Sequence, residues 1–466
     1  MGGKRKEYLP YLDENVIVID PGIDEELSNR SKDELCNDLP EDHKGKCEGY
    51  FNFIHNMQKG DYVFARTKKE AKKPPVGRLG KIIGAYEYDR KNRVHKRRVV
   101  WLTEEGQDVA VDTLGIKRVF GTGKDKVLLL HQLVEDPNHI DMDTWNQVVG
   151  KLEEKTLSEY QWLEALSVVE EIWRALRALK QQVVLYGPPG TSKTFNAMAV
   201  VAYVLGCSFK ALDNYRLFHH QDGSPSNKAP RGGWEFIQFH SEYGYEDFVV
   251  GIVPKAGQEG GALTFEVQPR LFVQMARRAD EDREHPYFLV IDEFNRASLD
   301  RTIGELLFAL EYRNQRVYVP LLKDYLVVPD NLYIIATMNS ADKNIGDLDH
   351  ALRRRFLFYK LKPNPNLLKE VLRKGLGSEL ADELVSLFVN LNEIFEEKLK
   401  KPDFAVGHTY FFPAESFIKE AKEHLRMRLK FEVKPLLEEY QSEGILYGQY
   451  FDEAMNVVKK MEEILK

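Results

Sequence analysis

The sequence predicts a multidomain chain: a small β-rich barrel, then an α/β core on a parallel sheet, then an all-helical C-terminal region. Short apolar runs broken by turn signals fill residues 1 to about 135, and a small barrel is the natural closure for that many short strands. From Gln181 to about Tyr359 apolar runs alternate with helical stretches, the pattern of a parallel sheet with crossovers. After Pro363 the periodicity is helical almost to Lys466.

In the first region Val16-Ile-Val-Ile-Asp20 runs into the turn Pro21-Gly22. Tyr62-Val-Phe-Ala, Arg78 to Gly84, Ala85 to Tyr88, Arg97 to Leu102 and Lys126 to Leu130 supply further strands. Asp136-Pro137-Asn138 then breaks the chain, and a polar helix with Trp145 follows. Between Leu157 and Lys180 the apolar positions Tyr160, Leu163, Leu166, Val169, Ile172, Trp173, Leu176 and Leu179 recur at steps of three and four, which predicts an amphipathic helix. The core strands are Val183–Tyr186, Phe288–Ile291 and Leu332–Ala336. The resulting boundaries are 1–140, 141–180 for a helical linker and the start of the α/β module, 181–360 and 361–466.

Composition excludes several classes. With 22 Tyr, 25 Phe and 5 Trp in 466 residues the chain is not of the disordered type. No apolar run reaches the roughly 18 residues of a membrane span. The basic start, Met1 to Lys6, is followed by polar residues, so no signal peptide is expected. The three cysteines, Cys36, Cys47 and Cys207, lack CxxC spacing. They predict neither a disulfide framework nor a zinc site, and a reducing, cytoplasmic compartment. A net charge of −7 excludes a uniformly basic nucleic-acid coat. Yet Arg66 to Arg98 carries 13 Lys/Arg against three acids, a local excess of cations.

Gly187-Pro188-Pro189-Gly190-Thr191-Ser192-Lys193-Thr194 follows an apolar strand and opens a helix at Phe195. That context suits a phosphate loop: backbone N–H groups turn inward, the helix N-terminus faces the anion, Lys193 reaches the β- and γ-phosphates, and Thr194 offers its hydroxyl to Mg²⁺. Ser192 stands where the GxxxxGK[ST] pattern has glycine, a substitution that costs energy if φ must be positive. Phe288-Leu-Val-Ile-Asp292-Glu293 is a buried strand ending in two acids. Ligands bind at that edge of open α/β sheets. Asp292 would hold Mg²⁺ and Glu293 would activate water. Asn339 ends a further strand, within reach of a γ-phosphate. Arg353-Arg354-Arg355 lies between apolar anchors and offers a finger to a neighbouring subunit's nucleotide.

With these motifs the chain resembles the McrB family, the AAA+ motors of McrBC-type modification-dependent restriction systems. The resembling stretches span roughly 180–440 and include Gln238 to Phe248, Ile291-Asp-Glu-Phe-Asn-Arg-Ala297, Gly304-Glu-Leu-Leu307, Thr337-Met-Asn-Ser-Ala-Asp342, Ala351 to Phe356, Val406-Gly-His-Thr-Tyr-Phe411 and Pro435 to Tyr440. The resemblance implies an AAA+ core with a helical lid, GTP as fuel with ATP second, Mg²⁺, and a homo-oligomeric, hexameric ring. It also implies catalytic roles for Glu293, Asn339, Asp342, Arg354 and Arg355. Lys343 departs from the family's arginine, and the stretch around His408 is expected near the nucleotide.

Gly60 to Tyr88 and Arg97 to Trp101 resemble EVE/YTH-like barrels of the PUA group, readers of modified bases. That resemblance implies a base cage drawn from Tyr62, Tyr86, Tyr88 and Trp101, with Arg97 and Arg98 on DNA. N6-methyladenine is the favoured base and 5-methylcytosine the second. Glu432-Val-Lys434 matches an ExK nuclease fragment only by chance frequency, so the resemblance implies a separate McrC-like nuclease subunit. The alternative is an ATPase that remodels protein complexes, with the first domain as adaptor.

Overall fold

Antiparallel pairing builds the first part of the chain. The computed structural model describes residues 16–19, 27–39, 61–66, 76–89, 94–102, 109–110, 127–129, 147–152, 163, 165–218, 232–255, 264–341, 350–413 and 420–466. The chain divides into two units, Met1–Gln161 and Trp162–Lys466.

In the first unit the strands are β1 (Val16–Ile19), β2 (Tyr62–Arg66), β3 (Val76–Asp89), β4 (Val94–Trp101), β5 (Val109–Ala110) and β6 (Val127–Leu129). They form one antiparallel sheet in the order β1-β4-β3-β2-β6, with β5 on β3. Among the described residues no pairing of β1 with β6 closes this sheet into a barrel. The two runs expected at 78–84 and 85–88 are one continuous strand, β3. Its register against β4 slips between Ile82 and Tyr86, and such an irregularity bends a long strand without ending it.

Trp101 is 5% exposed. It pairs across the sheet with Gly80, where an added Cβ would lie 2.9 Å from the indole and 2.6 Å from Val99. Glycine there makes room for the ring, so Trp101 is core and not an open cage wall. Arg97 is likewise buried, and Arg98 is half-buried. Ser31 caps a short helix, Lys32–Asp38, through a capping box with Glu34. Cys36 in that helix is disulfide-bonded, whereas the cysteine spacing predicts no disulfide framework. Cys207 is free and buried.

In the second unit the helix Leu166–Ala178 buries Val169, Ile172, Trp173 and Leu176, as its periodicity predicts. Then come β7 (Gln182–Gly187), β8 (Gly233–Gln238), β9 (Val250–Lys255), β10 (Thr264–Pro269), β11 (Tyr287–Asp292), β12 (Arg316–Val319), β13 (Asp324–Val327), β14 (Leu332–Asn339) and β15 (Leu357–Lys360). Five of these make a parallel sheet in the order β15-β7-β14-β11-β8. Their near-continuous apolar runs reflect burial on both faces. The register levels Gly187 with Asn339 and Asp292 with Gln238, so the expected site residues share one sheet edge. Two antiparallel hairpins, β9–β10 and β12–β13, stand where helical crossovers alone are expected.

After β15 the helices Pro365–Leu376, Ser378–Glu393, Ala421–Arg428, Lys434–Ser442 and Gln449–Ile464 pack on Leu368, Phe388, Leu391, Phe395, Leu437 and Met461. Glu432 and Lys434 sit in this lid and pair with Arg428 and Glu462. Among the described residues no single helix is long and apolar enough to cross a membrane. Replacing Trp101 with alanine should cost about 3–5 kcal/mol in the first unit, read as an earlier unfolding transition in denaturant. An unchanged transition would place the ring outside the core.

Candidate functional site

The loop Gly187–Ser192 joins the carboxyl end of β7 to the helix Lys193–Leu205, which packs on β7, β11 and β14. Gly187 has φ 158° and Gly190 has φ 74°. A Cβ on Gly187 would meet the Leu361 carbonyl at 2.1 Å, so only glycine fits. The Lys193 ammonium is buried and donates to the carbonyls of Gly187 (3.1 Å) and Pro188 (2.7 Å). Thr191 also donates to Pro188, at 2.8 Å. Phe195 turns to Phe209, with ring centroids 5.2 Å apart.

Thr194 donates its hydroxyl to Asp292 Oδ1 at 2.9 Å, and Thr337 donates to the same oxygen. Glu293 follows Asp292 in a left-handed conformation, φ 54°. This turns its side chain away from the strand's alternation. Its carboxylate accepts from Asn339 Nδ2 at 3.1 Å and from Arg296 Nε at 3.0 Å. The structure therefore gathers Lys193, Thr194, Asp292, Glu293 and Asn339. Thr337 and Arg296 are additions: both lie inside motif stretches, but no local pattern gives them a partner.

Asp342 and Lys343 lie outside the described residues. Arg353 is exposed. Glu311 accepts from Arg354 at 2.9 Å and from Arg355 at 2.7 Å, but the two arginines differ in exposure. Arg355 is 13% exposed, with Nη1 on the Ala351 carbonyl, whereas the Arg354 side chain is 68% exposed. Gln182 donates to the Arg355 carbonyl at 2.7 Å and accepts from Arg313, which ties this arginine segment to the start of β7.

The lid reaches the loop through residues 407–410. Thr409 donates through N and Oγ1 to the Gly190 carbonyl, each at 3.0 Å. A Cβ on Gly407 would come within 2.1 Å of Gly190. His408 is 2% exposed, and burial pushes its pKa down from 6.5 to about 4. Its Nδ1 accepts from the Asn364 N–H at 3.2 Å. Its Nε2 lies 2.9 Å from Ser192 Oγ. In the first unit, Lys81 Nζ lies 5.1 Å from the centroid of the half-buried Tyr62 ring. In the β3–β4 register Tyr86 is the backbone partner of Arg97 and Tyr88 that of His95.

Residues 227–356 match the AAA domain of the dynein-related subfamily, and residues 383–444 match the McrB alpha-helical lid domain. The chain carries an AAA+ module of the McrB type. Residues 3–121 match a domain of unknown function, DUF8426. The chain is 31% identical over 287 residues to the type IV methyl-directed restriction enzyme EcoKMcrB subunit of Escherichia coli strain K12, covering 59% of this chain and 56% of that protein. It is 25% identical over 208 residues to the type II restriction enzyme BsuMI component YdiS of Bacillus subtilis strain 168, covering 40% and 59%. The chain spans a little over half the length of these relatives.

His408 gives the module a pH dependence. Above pH 6.5 the imidazole is neutral whether the chain is folded or not. As pH falls from 6.5 towards about 4 the unfolded chain takes up a proton that the folded one refuses, so stability is lost across that window. His408→Gln should remove this share of the slope, which approaches about 1.4 kcal/mol per pH unit. Denaturant titrations over the same range check it, and identical slopes in both proteins would contradict it.

Proposed function

We propose that this chain is the GTP-hydrolysing motor subunit of a modification-dependent restriction system. The observation that carries this reading is the cluster at the carboxyl edge of the parallel sheet: Lys193 and Thr194 on the phosphate loop, with Asp292, Glu293 and Asn339 opposite. Backbone N–H groups and Lys193 would hold the phosphates. Thr194 and Asp292 offer the hard oxygen donors that Mg²⁺ takes, with nucleotide phosphates and water completing its shell. Bound there, the ion would neutralise charge developing on the phosphates. Glu293 would accept the proton of the attacking water, and Asn339 would place that water or the γ-phosphate. Glu293 bonded to Arg296 and Asn339 would have to release one of them to act. Arg354 is the better trans finger, since it is exposed while Arg355 is packed away.

The methyl-directed relative and the basic stretch of the first unit support modified DNA as the target, N6-methyladenine before 5-methylcytosine. A separate McrC-like nuclease would cut. Burial of Trp101 leaves the aromatic contact to Tyr62, Tyr86 or Tyr88.

Glu293→Gln should keep nucleotide binding and lose steady-state turnover, while Lys193→Ala should lose binding itself. Mixing Glu293→Gln with Arg354→Ala should restore part of the turnover, because hybrid interfaces pair an intact finger with an intact Glu293. Near-normal hydrolysis by Glu293→Gln alone would reject the assignment, and turnover independent of protein concentration down to the monomeric range would reject the trans finger. DNA binding should have two components. Sequence-independent affinity should fall with salt at a logarithmic slope of about −5 if about six phosphates are engaged. Preference for methylated duplex should barely change with salt, because stacking carries it. Equal affinity of the full chain for methylated and unmethylated duplexes at every salt concentration would remove the reader.

A further inference from the structure

Ser192 occupies the loop position where glycine is usual, at φ 60° and ψ 31°, a left-handed conformation that glycine adopts without cost. Serine gains one thing glycine cannot supply, a hydroxyl, and Ser192 Oγ lies 2.9 Å from His408 Nε2. The direction of that bond follows from the other ring nitrogen. Nδ1 accepts the Asn364 backbone N–H, so it bears the lone pair and Nε2 bears the proton. The imidazole therefore donates, the Ser192 oxygen accepts, and the serine keeps its own proton for a further acceptor.

His408 thereby joins three segments. Ser192 belongs to the phosphate loop. Asn364 caps the first lid helix, its side chain accepting from Leu367 N at 3.0 Å. His408 belongs to the lid segment that lies on Gly190 through Thr409. The oxygen of Ser192 meets Nε2 only while the loop keeps its left-handed turn, the conformation that aims backbone N–H groups at an anion.

We propose that Ser192 and His408 form a latch through which the lid holds to the phosphate loop and sets how fast nucleotide leaves. Both are positioning residues, and the inference rests on the reading of this loop as a nucleotide site. A chain with glycine at this position has no hydroxyl to latch and must hold its lid by other contacts.

The test is the release rate of a fluorescent guanine nucleotide from the full chain, chased with excess unlabelled nucleotide. Ser192→Gly removes the hydroxyl and is at ease at φ 60°, so it leaves the loop unstrained. It should release nucleotide about two- to tenfold faster, the range set by one hydrogen bond. His408→Gln, which also loses the bond to Asn364, should release at least as fast, and the double variant should be no faster than the faster single one, because the bond the two residues share can be lost only once. Unchanged release from Ser192→Gly, or factors that multiply in the double variant, would overturn the latch and leave the nucleotide site standing. Failure of the unmodified chain to bind the nucleotide would overturn the site and the latch with it.

Discussion

The carboxylate of Asp292 is the constraint on which the rest of the site depends. It ends β11, and one of its oxygens accepts from Thr194 at the start of the loop helix and from Thr337 near the end of β14. A carboxylate taken from water is costly unless its lone pairs are satisfied. These two hydroxyls satisfy that oxygen, and in doing so they tie the loop helix, β11 and β14 together. Glu293 inherits its place from that anchoring. The chain turns through a left-handed residue directly after Asp292, and the next carboxylate reaches Asn339 and Arg296.

A second dependence runs from the loop to the lid. The helical lid has its own core, so it does not need the sheet to bury its apolar faces. Polar and backbone contacts seat it, at Gly190, Ser192, Gly407, His408 and Thr409 and where Asp403 accepts from Lys360 and Ser340. Such a contact excludes any Cβ at Gly407 and buries a neutral imidazole. Each subdomain thus buries a core of its own, and polar bonds join the two.

The first unit illustrates a different competition. An aromatic residue beside basic residues suits a nucleic-acid surface and a sheet interior equally well. For Trp101 the cross-strand glycine decides the matter, because an indole with a cavity shaped beneath it is held by packing. The same burial draws in Arg97, so the cations of the run 66–98 are not interchangeable and only part of them can meet phosphate.

Much of the second unit was legible in the sequence because its signals are local. Four apolar residues before Asp292 make a buried strand whatever surrounds them. The glycines and prolines of 187–190 make a turn, and steps of three and four between Val169 and Leu176 make a helix face. The phosphate loop, the acidic pair and the asparagine could be named because parallel strands must end at one edge. Other features depend on residues far apart in the chain. Thr337 bonds Asp292 only because β14 lies beside β11. Arg354 and Arg355 both pair with Glu311, and they differ in that Arg355 also bonds the Ala351 carbonyl and is packed away. The hairpins β9–β10 and β12–β13 depend on pairings between segments rather than on periodicity within one. Ser192 reads in sequence as a flaw in a glycine pattern. It becomes a partner only because folding brings His408, 216 positions away, to its hydroxyl. Composition and periodicity determine the core strands of the parallel sheet and the helical faces, whereas the two hairpins and the hydrogen-bond partners across the chain exist only once the tertiary structure has brought them together.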